Sequence, residues 1–118
     1  MARDAGDLAR IYFEAWKAKD FATLRGILAD NVTFRGPLGS ADGADECVRG
    51  LRGMSQMMTG VDVKTIVADG EDVITWFELH TKVAPPTPTA NWSHVRDGKI
   101  ARIRVASDPR EILTGGQG

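Results

Sequence analysis

Few side chains in this 118-residue chain could do chemistry, since it has two histidines, one cysteine and one tyrosine. Tyr12 offers a hydroxyl that could serve as an oxyanion-type donor, or that could simply top a core tyrosine. Asp108 offers a carboxylate at the end of the last strand. It could equally cap a short turn over residues 109–112, with Pro109 at the first helical position. His80, His94 and Glu78 could together supply two imidazoles and a carboxylate to zinc. Their spacing matches no metal signature, however, and no metal is expected. Cys47 has neither a second cysteine nor a histidine near it in sequence, and reads as a small hydrophobe. Asp42 and Asp45 read as capping and dipole charges of a following helix. Gly36, Gly39 and Gly43 lack the Lys-Ser/Thr pair of a phosphate loop, so no nucleotide or other cofactor is expected.

A helical first half and a stranded second half must position these groups. Leu8, Tyr12 and Trp16 recur at i, i+4 and i+8, flanked by Ala5, Ala9 and Phe13, which predicts a helix over 7–19 capped by Asp7. A short helix starts at Asp20, carries Phe21, Leu24, Ile27 and Leu28, and stops near 29–31. Residues 32–35 read as a strand and 38–43 as a glycine-rich loop. A third helix over 44–58 carries Val48, Leu51, Met54 and Met58. Gly50 and Gly53 within it each cost about 1 kcal/mol against alanine, which predicts a helix held by packing. From Val61 the period becomes two. Strands are expected over 61–67, 73–83, 89–95 and 100–107, and the proline-rich segment 84–88 reads as a stiff connection. Residues 112–118 carry little to bury and are expected to be mobile, especially 114–118.

The closing segment NWSHVRDGKIARIRVASDP is a hairpin turning at Asp97-Gly98. Its alternation puts Asn91, Ser93, Val95, Ile103, Val105 and Ser107 on one face. Trp92, His94, Arg96, Arg102, Arg104 and Ala106 lie on the other. On the strand before, Thr75, Phe77, Leu79 and Thr81 belong with the apolar face, and Trp76, Glu78, His80 and Lys82 with the polar one. The apolar face should pack under the helices, with Glu78 opposite an arginine as an ordinary cross-strand pair. Trp76, His80, Trp92, His94, Arg102 and Arg104 suit a protein interface, because Trp and Arg are enriched there.

Size and charge set bounds. The length gives one domain, 1–118. A net charge of -1 offers no basic field, so nucleic acid is not an expected partner. No apolar run spans a bilayer, and MARDAGDLAR lacks a signal-peptide core, so a cytoplasmic protein without a membrane partner is expected.

The order of elements, the turn RDGKI and the final strand ending in DP resemble the SnoaL-like members of the nuclear transport factor 2-like superfamily, over residues 7–113. The resemblance implies an α+β cone, with a strongly bent, mainly antiparallel sheet wrapped round about three helices and enclosing a pocket. It also implies a homodimer joined through the outer sheet face. Members include ketosteroid isomerases, polyketide cyclases, epoxide hydrolases and proteins that only bind. The pocket acid of the polyketide cyclases, aligned on Gly98-Lys99-Ile100, falls on Asn91, and that of the ketosteroid isomerases at or near it. The epoxide hydrolases' last-strand acid falls on Val105. Neither an amide nor an isopropyl group exchanges a proton at neutral pH. The resemblance therefore implies a pocket for a compact hydrophobic ligand (polyketide-, steroid- or terpenoid-like), lined by Tyr12, Trp16, Phe34, Phe77, Asn91, Ser93 and Val105. The enzyme alternative is an isomerase or cyclase in which Tyr12 polarises a carbonyl and Asp108, or water, moves the proton. A third reading is a protein-interaction module using the sheet face.

Overall fold

Asp4 starts the first helix, α1 (Ala5–Lys17). Its carboxylate accepts from the Asp7 amide at 2.8 Å, and the Asp7 side chain accepts from the Asp4 amide at 3.4 Å. Asp7, expected as the cap, is instead the reciprocal partner of a capping box. The computed structural model describes residues 4–115. The stripe of α1 is buried as expected, and the Phe13 ring meets Phe77 at 4.8 Å to seat the helix on the sheet. Asp20 caps α2 (Phe21–Gly26) by accepting from the Thr23 amide and hydroxyl. This helix stops earlier than expected. The Ile27 carbonyl accepts from the Ile100 amide at 2.9 Å, and Leu28 opens β1 (Leu28–Gly36) opposite Ile100. Long-range pairing overrides a local helical pattern there.

The expected loop over 38–43 contains a strand, β2 (Gly39–Asp42), paired antiparallel to β1. Only Ala41 of its four residues is buried, so the alternation that announces a strand is absent from the sequence. Gly43, not Asp42, occupies the cap position of α3 (Ala44–Ser55). Asp42 pairs with Arg35 at 2.7 Å, while Asp45 lies in the first turn and pairs with Arg25. The helix ends three residues before Met58, which opens the next strand.

That strand is β3 (Met58–Asp69), followed by β4 (Asp72–Thr81), β5 (Thr87–Arg96) and β6 (Lys99–Ser107). The sheet order is β2-β1-β6-β5-β4-β3. Among the described residues only the β1–β6 pair is parallel. Asp97 and Gly98 have φ of 53° and 75°, the left-handed pair that a two-residue hairpin turn of this twist requires. Register shifts in β3 and at His94/Val95 mark irregularities that bend strands, and the sheet curls without closing. This is the expected α+β cone, with six strands rather than five and four helices rather than three among the described residues.

The faces fall as the alternation predicted. Along β5, Thr87, Thr89, Asn91, Ser93 and Val95 are buried, while Trp92 is 43% exposed. Two expectations for the outer face are corrected. Glu78 stands opposite Asp62 and Pro88, not an arginine. His94 lies opposite Asp72 and His80 opposite Gly60, eight residues apart along β4, so the two imidazoles cannot share an ion. Thr87 and Pro88 belong to β5 rather than to the connection. Pro88 pairs only towards β4, beyond the β6 ladder, where a missing donor is tolerated.

The segment after Pro109 forms α4 (Arg110–Gly115), with Ile112 only 3% exposed, so the turn expected over 109–112 continues as a helix into the tail expected to be mobile. Gly115 is required there, because a Cβ would clash with the Val83 carbonyl. Residues 116–118, the end of the tail expected to be mobile, lie outside the described residues. Among the described residues no helix is long and apolar enough to cross a membrane.

Candidate ligand chamber

A cavity of about 160 Å³ lies between the inner sheet face, α1 and α3. Tyr12, Trp16, Phe34, Phe77, Asn91 and Val105 line it, bringing together six of the seven residues expected from sequence. Ser93 stands behind this wall, where its hydroxyl donates to Asn91 Oδ1 at 2.9 Å. Leu79, Thr89 and Ser107 also contribute. All three share the inward parity that the strand alternation already displayed. Cys47, Gly50, Leu51 and Met54 come from α3, at helical spacing that was equally visible. The β1–β2 turn, from Gly36 to Ala41, forms the remaining wall with Ile112. Nothing in the composition of that turn announces it.

The polar end of the chamber is a chain of hydrogen bonds. Asn91, 3% exposed, also hydrogen-bonds Tyr12, which is 2% exposed. That bond acts to lower the phenol's pKa, the direction expected when the Asn91 amide N–H donates to the Tyr12 oxygen. The Tyr12 O–H is then free to donate into the cavity. Burial pushes the phenol well above its ordinary pKa and nearby Cys47 adds to this, while the Asn91 bond opposes it. Burial likewise raises the Cys47 thiol to about 11. The Trp16 indole N–H is engaged by the Leu51 carbonyl at 3.0 Å, so Trp16 offers the cavity only its rings. Among the described residues no carboxylate, imidazole or ammonium lines the cavity, and the two titratable groups that do stay neutral at pH 7. The chamber is a mainly apolar wall with the Tyr12 hydroxyl and Asn91 at its polar end.

Residues 9–103 match the SnoaL-like domain family. This chain belongs to that family. Among curated proteins none matches it. Solved structures do. A protein from Kribbella flavida DSM 17836 is 26% identical with a TM-score of 0.89, covering 96% of this chain and 93% of its own. An NTF2-like protein of unknown function from Cytophaga hutchinsonii is 21% identical, TM-score 0.84, covering 96% and 97%. An LEH-like epoxide hydrolase from M. tuberculosis is 22% identical, TM-score 0.78, covering 97% and 90%. The SnoaL-like fold and its superfamily, that of nuclear transport factor 2, are thus established.

The remaining chemical groups of this SnoaL-like chain lie outside the chamber. Asp108 is not among the lining residues. It accepts from the Arg110 guanidinium at 2.6 and 3.0 Å and from the Arg110 amide at 3.0 Å. Those bonds lower its pKa to about 2. It is therefore a capping carboxylate clasped by arginine. On the outer face, donor atoms of Asp62, Glu78 and His80 approach within 4.8 Å of one another. The Lys64 ammonium sits beside them, 2.7 Å from Asp62 and 4.0 Å from Glu78, and supplies their positive charge. His94 Nδ1 lies 2.9 Å from Asp72, whose same oxygen accepts from the Trp92 indole.

Proposed function

We propose that this SnoaL-like protein binds a neutral, compact, mostly hydrophobic molecule carrying one oxygen acceptor, of the polyketide, steroid or terpenoid kind. The observation that carries this reading is the Tyr12 hydroxyl, fixed by Asn91 and Ser93 and left as a donor in a chamber whose walls hold no charge. A buried donor without an acceptor is unfavourable, so the site favours a ligand oxygen over a hydrocarbon surface. The volume supports a body of about one ring, since a dry cavity of roughly 150 Å³ takes benzene. An isomerase or cyclase would need a base beside the ligand. Asn91 and Val105 occupy the positions where the resemblance expects acids, and Asp108 is turned to Arg110, so binding is favoured over proton transfer.

The test is a comparison of cyclohexanone with cyclohexane. The ketone should raise the melting temperature more than the hydrocarbon, as binding to the native state must. Tyr12→Phe should weaken ketone binding by about two- to twelvefold, one buried hydrogen bond, and leave the hydrocarbon unchanged. Equal loss for both, or none for either, would remove Tyr12 from the recognition.

The working unit proposed is a homodimer paired through the outer sheet face. That face has an apolar centre of Ile74, Trp76 and Trp92, all exposed. Arg35, Arg102 and Arg104 lie towards β1 and β6, and Asp62, Asp69, Asp72 and Glu78, with Lys64 among them, towards β3 and β4. A two-fold axis running along the strands lays each cationic half on the partner's acidic half. Such pairing suits an isologous contact.

A further inference from the structure

Gly50 occupies the middle of the twelve-residue α3, where glycine is among the least favourable residues. Helical glycines are usually explained by backbone conformation or by close packing. Neither applies here. Gly50 is not among the positive-φ glycines, and a Cβ built on it would meet nothing within 4 Å. Gly36, across the cavity, makes the contrast: a Cβ there would stand 3.2 Å from Val105 Cβ and 3.3 Å from Phe34 Cε1. What sets Gly50 apart is its place. It lies in the cavity-facing row of Cys47, Leu51 and Met54, and it is the exposed member of that row, at the mouth. Gly53, one turn on, has equally bare surroundings but does not line the cavity.

We propose that Gly50 is the size gate of the chamber: the missing side chain leaves a gap in the α3 wall through which a ligand longer than the enclosed space extends. This rests on the binding reading above and refines its ligand class. The bound molecule has a compact ring whose oxygen meets Tyr12 at the polar end. An apolar extension leaves the chamber past Gly50. A bulky side chain at position 50 closes that exit while leaving the ring site intact, and a methyl group narrows it.

A series of 4-alkylcyclohexanones, from the unsubstituted ring to 4-pentylcyclohexanone, tests the gate by calorimetric titration of the whole chain. The unmodified protein should bind every member. Gly50→Leu should leave cyclohexanone within about twofold and weaken the pentyl compound by about tenfold or more, since an inserted side chain and the alkyl arm cannot share one space. Gly50→Ala, a better helix former, should raise the urea midpoint and fall between the two in its length dependence. Gly53→Leu should change neither ligand's affinity. The gate is overturned if Gly50→Leu weakens all members alike or none, if Gly53→Leu matches it, or if the unmodified protein takes only the short members. Failure of the unmodified protein to bind any member overturns the binding reading itself, and the gate with it.

Discussion

Asn91 shows how one atom's partner sets another's role. Its carbonyl oxygen accepts from Ser93, while its bond to Tyr12 acts to lower the phenol's pKa as a donated N–H does, so Tyr12 keeps a proton to give. The two titratable groups of the chamber, Tyr12 and Cys47, are both held neutral by burial, which has a pH consequence. In the unfolded chain the Cys47 thiol ionises near its ordinary 9.0, but in the folded protein only near about 11. Below 9.0 both states hold the proton and the contribution is complete. Between those values the unfolded chain has released it and the folded one has not, so stability falls as pH rises, by on the order of 2 kcal/mol. Urea midpoints measured from pH 8 to 11 should show that decline, and Cys47→Ala should flatten it. An unchanged slope would place the thiol in contact with water.

At the scale of elements, ends and turns separate what is local from what is not. The capping box assigns the start of α1 to Asp4, whose bond to the Asp7 amide is 2.8 Å, while the return bond is a long 3.4 Å. Asp4→Ala should therefore cost about 1 kcal/mol, and Asp7→Ala clearly less, read from chemical denaturation. The reverse order would restore Asp7 as the cap. The Asp97-Gly98 turn and the β5 alternation were legible because a left-handed pair and a period of two are local properties. β2 was not legible, because its edge position buries one side chain of four. Nor was the early end of α2, which is decided by Ile100, more than seventy residues away. Burial of Ile112 likewise depends on a groove that α4 does not itself build.

For the whole molecule, the outer sheet face sets the prediction. Trp76 is 47% exposed in the isolated chain and stands near the centre of the proposed pairing face. Trp76→Glu should leave the fold intact, since it removes little buried surface, but convert the dimer to a monomer in sedimentation equilibrium. Raising the salt from 0.05 M to 1 M should weaken the dimer as screening removes the complementary charges. A monomer already present in the unmodified protein at low salt would overturn the pairing.

The amino-acid order alone determined the helical stripe of α1, the inward and outward sets of the long strands, and the closing turn, because each follows from the geometry of a single segment. It also placed an amide and a valine where the resemblance leads one to expect acids. Only the tertiary structure decided that the β1–β2 turn and α4 complete the chamber, that Asp108 turns to Arg110, and that His80 and His94 lie far apart. Those outcomes depend on which segments meet, and a chain's local pattern holds no record of its distant neighbours.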